Sequence, residues 1–252
     1  MFNFAFFKKE IMESLKAPRY WVLCSLFIFM GILSPVTGKF MNEIFTLFEL
    51  DVPIVMPEPT MMDAWLQVYK NIHTLLVIVF LIMLSGTVVQ EKVKGSVLLV
   101  LSKNISRSNF ILSKFFTGVV LFFGLFILSF LISVGYTYYF FNEVFFDGWV
   151  YTFILSLGIG LVVTSLGIFV SVISKSATIS ALLGFAIFAV LGIFNSIPSL
   201  VKFNPLGGIS MINSIMAGEI NKTAIYIQFG SIILSTVFVV VTSITLFKKQ
   251  EL

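Results

Sequence analysis

Few side chains in this sequence are of types that carry out catalysis or bind metal ions. His73 is the only histidine and Cys24 the only cysteine, so neither a disulfide framework nor a thiolate zinc site can form. The sequence contains no G-x-S-x-G, H-E-x-x-H or G-x-x-x-x-G-K-[ST] pattern, which argues against a serine hydrolase, a metalloprotease or a nucleotide-binding loop. Met56, Met61 and Met62 near His73 are soft ligands that suit Cu(I), but adjacent methionines on a helix point in different directions. The sequence therefore predicts a chain without a catalytic site, metal centre or cofactor of its own.

The composition indicates the environment in which these side chains lie. The chain has 58 % hydrophobic and only 11 % charged residues, and its mean hydropathy is +1.06. Soluble domains carry about 25 % charged residues, so the composition predicts an integral membrane protein. Six apolar stretches free of Asp, Glu, Lys and Arg favour membrane-spanning helices over barrel strands, and the predicted fold is all-α. The predicted spans are residues 20–37, 72–89, 115–141, 149–173, 179–197 and 224–247.

The distribution of basic residues predicts the orientation of these spans. Twelve of the 16 basic residues lie in the N-terminal segment, in the second-to-third or fourth-to-fifth connector, or in the C-terminal tail. The positive-inside rule then places both termini in the cytoplasm. The net charge of +4 is thus an orientation signal and gives no indication of a nucleic-acid partner. Lysine makes up all but two of the basic residues, which is typical of AT-rich bacterial genomes and suggests a multi-pass protein of a bacterial cell membrane.

The N-terminal segment, residues 1–19, has the pattern of an amphipathic helix at the membrane interface. Its apolar residues recur at helical spacing: Phe4, Phe7, Ile11 and Leu15. Lysines fill much of the remaining surface, and Pro18 disfavours continuation of the helix. The segment would either anchor the chain in the membrane or act as an elbow helix that positions the first span and contacts a cytosolic partner.

The connector between the second and third spans, residues 90–114, combines basic side chains with an apolar run from Val97 to Leu101. This run is too short to cross a bilayer. The composition favours a cytoplasmic helix-turn-helix that presents an apolar surface to another protein.

This connector resembles the corresponding loop of the ABC-2 type permeases. That loop reads Glu, three residues, Gly-[Ser/Thr], a Leu-rich stretch, Pro-[Ile/Val]-Ser-Arg and then a Lys at the start of the third span. The matching residues here are Glu91, Gly95, Ser96, Leu98, Leu99, Ser106, Arg107, Ile111 and Lys114. Asn104 stands where the family has Pro, which implies a looser turn. The predicted topology, an interfacial helix followed by six spans, is also similar to that of the family.

The resemblance implies how the connector functions. Residues 91–103 would form a coupling helix that docks into a cleft of a separate cytoplasmic ATPase subunit, which would bind the ATP and Mg²⁺. Glu91 and Arg107 would hold the loop or contact that subunit, although a topology-setting or solvated charge is the simpler role for each. The permease would pair with a second copy of itself or with a related permease, and the first, second and fifth spans would line the pathway or the dimer interface.

The predicted external segments contain two further patterns. Thr60 and Asp63 are spaced as a capping box at the start of a helix. Residues 198–223 contain apolar pieces too short to cross the membrane, separated by Pro198, Asn204, Pro205 and Gly207. This segment resembles the family's external re-entrant hairpin, which caps the pathway, and an ordinary interfacial loop is the alternative.

The predicted spans contain no ionised residue, which argues against ion-coupled transport. A pathway without fixed charges favours hydrophobic or amphipathic cargo, because a desolvated ion would lack a partner. Within the family, the chain is similar to small bacterial permeases that export antimicrobial or toxin peptides, such as the phenol-soluble modulin exporters. Export of lipids, drugs or lipid-linked glycans is an alternative. A non-transporting membrane scaffold or immunity protein, whose connector binds a regulator, is another.

Overall fold

The computed structural model describes residues 3–47, 57–103 and 105–250, and the regular structure in these ranges is entirely helical. The helices begin and end as follows: α1 Phe4–Lys16, α2 Pro18–Lys39, α3 Met41–Leu47, α4 Met61–Asn71, a π-helix Ile72–Leu76, α5 Val77–Ser85, α6 Thr87–Val93, α7 Ser96–Leu101, α8 Arg107–Phe141, α9 Trp149–Ile173, α10 Ala177–Phe194, α11 Pro198–Val201, α12 Gly208–Met216 and α13 Lys222–Lys249.

Six helical segments are long and apolar enough to cross a bilayer. They are Pro18–Lys39, Met61–Val93, Arg107–Phe141, Trp149–Ile173, Ala177–Phe194 and Lys222–Lys249. The prediction of an all-α membrane fold with six spans is confirmed. The bounds predicted for the fifth span, 179–197, were wrong at their C-terminal end, because α10 stops at Phe194. There the Asn195 side chain donates to the Leu206 carbonyl, so the chain turns into the next segment instead of continuing the helix.

The helices form a bundle with two distinguishable ends. Residues 4–16, 94–103 and 247–250 lie at one end, called the terminal end, where the Phe6 ring stacks on Phe110 at the start of α8. Residues 57–60, 142–148 and 195–221 lie at the opposite, distal end. There the Trp65 indole donates to the Val144 carbonyl over 2.7 Å.

Helix α9 occupies the centre of the bundle, and sixteen of its 25 residues are buried. Its small residues permit close packing: a side-chain carbon at Gly167 would lie 2.8 Å from Cβ of Leu84 on α5. By contrast, only three of the 18 residues of α10 are buried, so this helix lies at the periphery. Its apolar outer surface has the composition of a surface that faces lipid or another subunit.

Helix α1 contacts the bundle through a different face from the predicted apolar stripe. Its buried residues are Phe6 and Glu10, whereas Phe4 is 68 % exposed and Leu15 38 % exposed. Phe4 and Leu15 therefore lie on the outside of the bundle, where lipid would cover them, and Phe7 and Ile11 are half-buried. Pro18 does more than end α1, since it is the first residue of α2, a position that needs no N–H donor.

Candidate functional site

The connector after the second span forms two short helices joined by a tight turn. Helix α6 continues the span to Val93, and Gly95 has a φ of +69°, a left-handed conformation that glycine adopts without steric cost. The Ser96 hydroxyl donates to the Glu91 carbonyl over 3.3 Å, which closes the turn. The predicted coupling helix 91–103 is thus the end of α6 followed by α7.

Helix α7 has one buried face and one exposed face. Val97 is 1 % exposed and belongs to an apolar cluster that includes Phe110. On the opposite side, Leu98 is 53 % and Leu99 is 70 % exposed, and Val93 at the end of α6 is 69 % exposed. These three side chains, Val93, Leu98 and Leu99, are called the α7 patch. The patch consists of apolar surface on a helix that the buried face holds in place, a combination typical of a protein docking site.

A buried lysine on α8, Lys114, forms ion pairs with residues of α1 and α6. The Nζ atom of Lys114 lies 2.8 Å from a carboxylate oxygen of Glu10 and 2.5 Å from one of Glu91. Lys114 is 5 % exposed and Glu10 is 6 % exposed. We call Glu10, Glu91 and Lys114 the ionic triad. The helix that contains the third predicted span begins at Arg107, so Lys114 lies on that helix one residue before the apolar stretch 115–141.

Arg107 and Lys92 bind the C-terminal ends of two spans. The Nη1 atom of Arg107 lies 2.8 Å from the Lys248 carbonyl and 2.7 Å from that of Gln250. The Lys92 ammonium group donates to the Val172 carbonyl over 2.5 Å. The last carbonyls of a helix lack intrahelical partners and carry partial negative charge, which cationic side chains satisfy. Arg107 thus connects the start of α8 to the end of α13, and Lys92 connects α6 to the end of α9.

At the distal end, α11 and α12 form a hairpin in which α12 packs inside the rim of the bundle, whereas α11 stays at the surface. Gly208 at the start of α12 lies against Ile159, and Ile215 near its end lies against Gly148. These two contacts on α9 are separated by about 16 Å along the helix at 1.5 Å per residue. Helix α12 therefore runs from inside the bundle toward its distal rim, and the re-entrant hairpin stays a prediction.

The residues predicted to form the external gate shape this hairpin. The Asn204 side chain donates to the Leu191 carbonyl over 2.7 Å, and the Asn204 carbonyl accepts from the Gln228 amide over 2.8 Å. Asn204 thus connects the hairpin to α10 and α13. Pro198 begins α11, and Pro205 lies half-buried in the turn.

The sequence was also compared with models of known protein families. The family model described as ABC-2 family transporter protein matches residues 4–252. The chain belongs to the ABC-2 transporter family. A search of curated proteins found no match. As an ABC-2 protein, it is a multi-pass membrane permease component of an ABC transporter, and its family implies an ATPase partner subunit.

Several residues that hold the predicted coupling region of this ABC-2 permease in place were not predicted from the sequence. Glu10 was overlooked because it lies off the apolar stripe of α1. An acidic residue in a lysine-rich segment could have indicated a buried cationic partner. The Ser171 hydroxyl accepts from the backbone N–H groups of Val88 and Val89, where Gly86 separates α5 from α6. Asn104, at the family's proline position, lies outside the described residues.

The structure bears on two further patterns in the sequence, the capping box of Thr60 and Asp63 and the methionines near His73. The Asp63 carboxylate accepts from the Thr60 N–H over 2.8 Å, as the predicted capping box requires. Met56 lies outside the described residues, and Met61 packs against the main apolar core. His73 is 2 % exposed. In the ranges that the structure describes, no cluster of three His, Cys, Asp or Glu side chains is arranged to hold a metal ion.

Replacing Gly207 with alanine is expected to destabilise the permease by about 1–3 kcal/mol, since overpacking in a tight core costs that amount. A side-chain carbon at Gly207 would clash with the Val201 carbonyl and lie 2.9 Å from the Gln228 amide oxygen. Gly192→Ala is the matched control, because the space around Gly192 is open within 4 Å. Thermal unfolding in detergent measures both variants. Equal midpoints for the two would contradict the close packing of the hairpin.

Proposed function

We propose that this chain is the transmembrane subunit of an ATP-driven exporter in a bacterial cell membrane. Two such subunits, identical or related, would pair and bind two cytoplasmic ATPase subunits, which carry the ATP and Mg²⁺. Both termini, and with them the terminal end of the bundle, would lie in the cytoplasm. The observation that carries the proposal is the α7 patch, an apolar surface at the same end as the basic residues, on a helix whose other face is buried.

The contacts around the patch support a mechanical role for α7. Glu91 on α6 is paired with Lys114 on α8, and Lys114 is paired with Glu10 on α1. Force applied to α7 by an ATPase would therefore reach the second span through α6, the third span through Lys114 and the interfacial helix through Glu10. Closure of the two ATPases would tilt these helices together and close an inward-facing pathway between the two permeases, which expels the cargo.

The proposed cargo is hydrophobic or amphipathic, and an antimicrobial or toxin peptide is the class we favour. Between the ionic triad and the distal end, where Lys70 lies, the spans offer apolar, Phe-rich surface. Its polar side chains are Ser, Thr, the buried His73 and a few amides such as Gln228. A small ion would have no fixed charge to replace its hydration there. An amphipathic peptide could keep its apolar side chains against such a surface.

The cargo proposal is tested by ATP hydrolysis in a reconstituted complex of the permease and its co-purified ATPase. We expect amphipathic helical peptides to stimulate hydrolysis, and K⁺, Na⁺ and small hydrophilic amines to have no effect. Stimulation by the simple cations alone would refute the cargo class. Failure of the chain to co-purify with any ATPase would refute an exporter and favour a membrane scaffold.

The proposed orientation makes a separate prediction for labelling in intact cells. In a Cys24→Ser background, we expect a membrane-impermeant maleimide to modify Glu58→Cys and to leave Lys103→Cys unmodified until the cells are permeabilised. Both positions are exposed, so a difference between them would report the side of the membrane. Modification of position 103 from outside would reverse the orientation, because it would place the basic connector on the external face.

A further inference from the structure

A cavity of about 460 Å³ lies at the distal end between the second span and α12. Apart from Tyr69, whose hydroxyl is bonded to Thr152, its polar lining side chains are Gln67, Lys70, His73, Thr74 and Asn213. The lining contains one ammonium group, two amides, a hydroxyl and an imidazole, with no carboxylate among the described residues. Leu66 and Ile209 add apolar surface. Such a mixture of a few convergent polar groups with apolar walls is typical of a ligand site.

The helix that forms one wall of the cavity is irregular at this point. Residues 72–76 form a π-helix, in which the Val77 N–H donates to the Ile72 carbonyl and one extra residue is accommodated in the turn. Such turns are uncommon and occur frequently at functional sites. This π-helix includes His73 and Thr74, and it therefore sets the positions of two of the five polar groups.

His73 is fixed in place but lacks one hydrogen-bond partner. Its ring is hydrogen-bonded to the backbone of Tyr69 and stacks on the Tyr69 ring at a centroid distance of 6.0 Å. The Tyr69 hydroxyl is in turn bonded to Thr152 over 2.8 Å. The Nε2 atom of His73 is buried without a hydrogen-bond partner in the described chain. A neutral imidazole whose other nitrogen donates has an acceptor at Nε2. A ligand N–H or O–H group in the cavity would satisfy this acceptor after a small shift of the ring, because the atom itself is buried.

We propose that this cavity binds the C-terminal residues of an amphipathic peptide cargo. The inference rests on the proposed function and gives its cargo a specific contact site. A peptide N–H would donate to Nε2 of His73, and the amides of Gln67 and Asn213 would pair with the peptide main chain. The Lys70 ammonium group would bind the terminal carboxylate, while the apolar walls accept a side chain. No acidic side chain in the described lining would repel that carboxylate.

The test measures binding of two fluorescent peptides to the full-length permease in phosphatidylcholine nanodiscs. The peptides have the same amphipathic helical sequence, and one ends in a free carboxylate and the other in an amide. We expect the free acid to bind roughly three- to tenfold more tightly. Lys70→Gln should abolish this preference. Lys222→Gln is the matched control, because Lys222 is exposed at the same end but does not line the cavity, and it should retain the preference.

Variants of the neutral side chains test the rest of the site. His73→Phe keeps the aromatic stack and removes the acceptor, so it should weaken binding of both peptides about fivefold. Asn213→Ala should weaken both as well, and because Asn213 is exposed, this variant remains informative if His73→Phe fails to fold.

The possible results distinguish failure of the proposed binding site from failure of the proposed peptide cargo. Wild-type binding without a preference for the free acid, or a preference that Lys70→Gln retains, would overturn the site while peptide export stands. Displacement of the peptide by phosphatidylglycerol in wild type but not in Lys70→Gln would also overturn it, because the cavity would then take a lipid phosphate. If neither peptide binds and neither stimulates the ATPase, the proposed peptide cargo itself fails.

Discussion

Replacing Lys114 with leucine is expected to lower the free energy of unfolding by about 3–5 kcal/mol, because removing one partner of a buried ion pair leaves an uncompensated charge. Here two carboxylates, Glu10 and Glu91, would lose the ammonium group that neutralises them. Glu10 could not regain its hydration, since it is 6 % exposed, and Glu91, whose side chain is 27 % exposed, could regain only part of it. Thermal unfolding of the purified permease in detergent measures the loss.

Two further variants make this expectation specific to the ionic triad. Lys103→Leu removes an exposed lysine and should leave the midpoint within the range of ordinary surface changes, about 0.5 kcal/mol. Combining Lys114→Leu with Glu10→Gln and Glu91→Gln should restore much of the stability, because uncharged groups cost less to bury than unpaired charges. Equal midpoints for Lys114→Leu and Lys103→Leu would show that the triad does not stabilise the fold.

The six spans were predictable because the thickness of the bilayer sets the length of an apolar run. The fourth predicted span, residues 149–173, has the same bounds as α9. The fifth was misjudged because apolarity continues to Ile197, whereas the helix ends where Asn195 finds partners in the hairpin. A contact made across eleven residues leaves no trace in a local hydropathy pattern.

The helix-turn-helix of the connector between the second and third spans was predictable for a similar, local reason. Gly95 next to a short apolar run indicates a turn followed by a helix, and Leu98 and Leu99 could be assigned to an outward surface. The partners of the charged residues were not predictable. Glu10 lies 104 positions from Lys114, and Arg107 lies 143 positions from Gln250, so each pair depends on how whole spans pack.

The face that α1 presents to the bundle illustrates the limit of amphipathic patterns in a membrane protein. In water, the stripe containing Phe4, Phe7 and Ile11 would be the face to bury. At a membrane interface lipid can cover the same stripe, so the bundle is free to bury the other face. Glu10 occupies that other face because it has a buried ammonium partner. The pattern identified the helix correctly and left its orientation toward the bundle open.

Replacing Leu98 and Leu99 with aspartate is expected to abolish coupling to the ATPase while membrane insertion persists. If the α7 patch enters a cleft on that subunit, two carboxylates would be desolvated there without partners, at a cost on the order of 3 kcal/mol or more. This corresponds to a loss of affinity of more than about 100-fold. The permease itself should remain folded, since both leucines are exposed and Val97 keeps the buried face of α7 in place.

Co-purification of the ATPase and peptide-stimulated hydrolysis measure the effect, and Leu98→Met with Leu99→Met is the matched control. Methionine conserves apolar volume at both positions, so this control should retain assembly and stimulation. Retention of both by the aspartate variant would mean that residues 91–103 are not the docking element. The exposed leucines would then be an apolar surface covered by lipid, and force from the ATPase would have to reach the spans by another route.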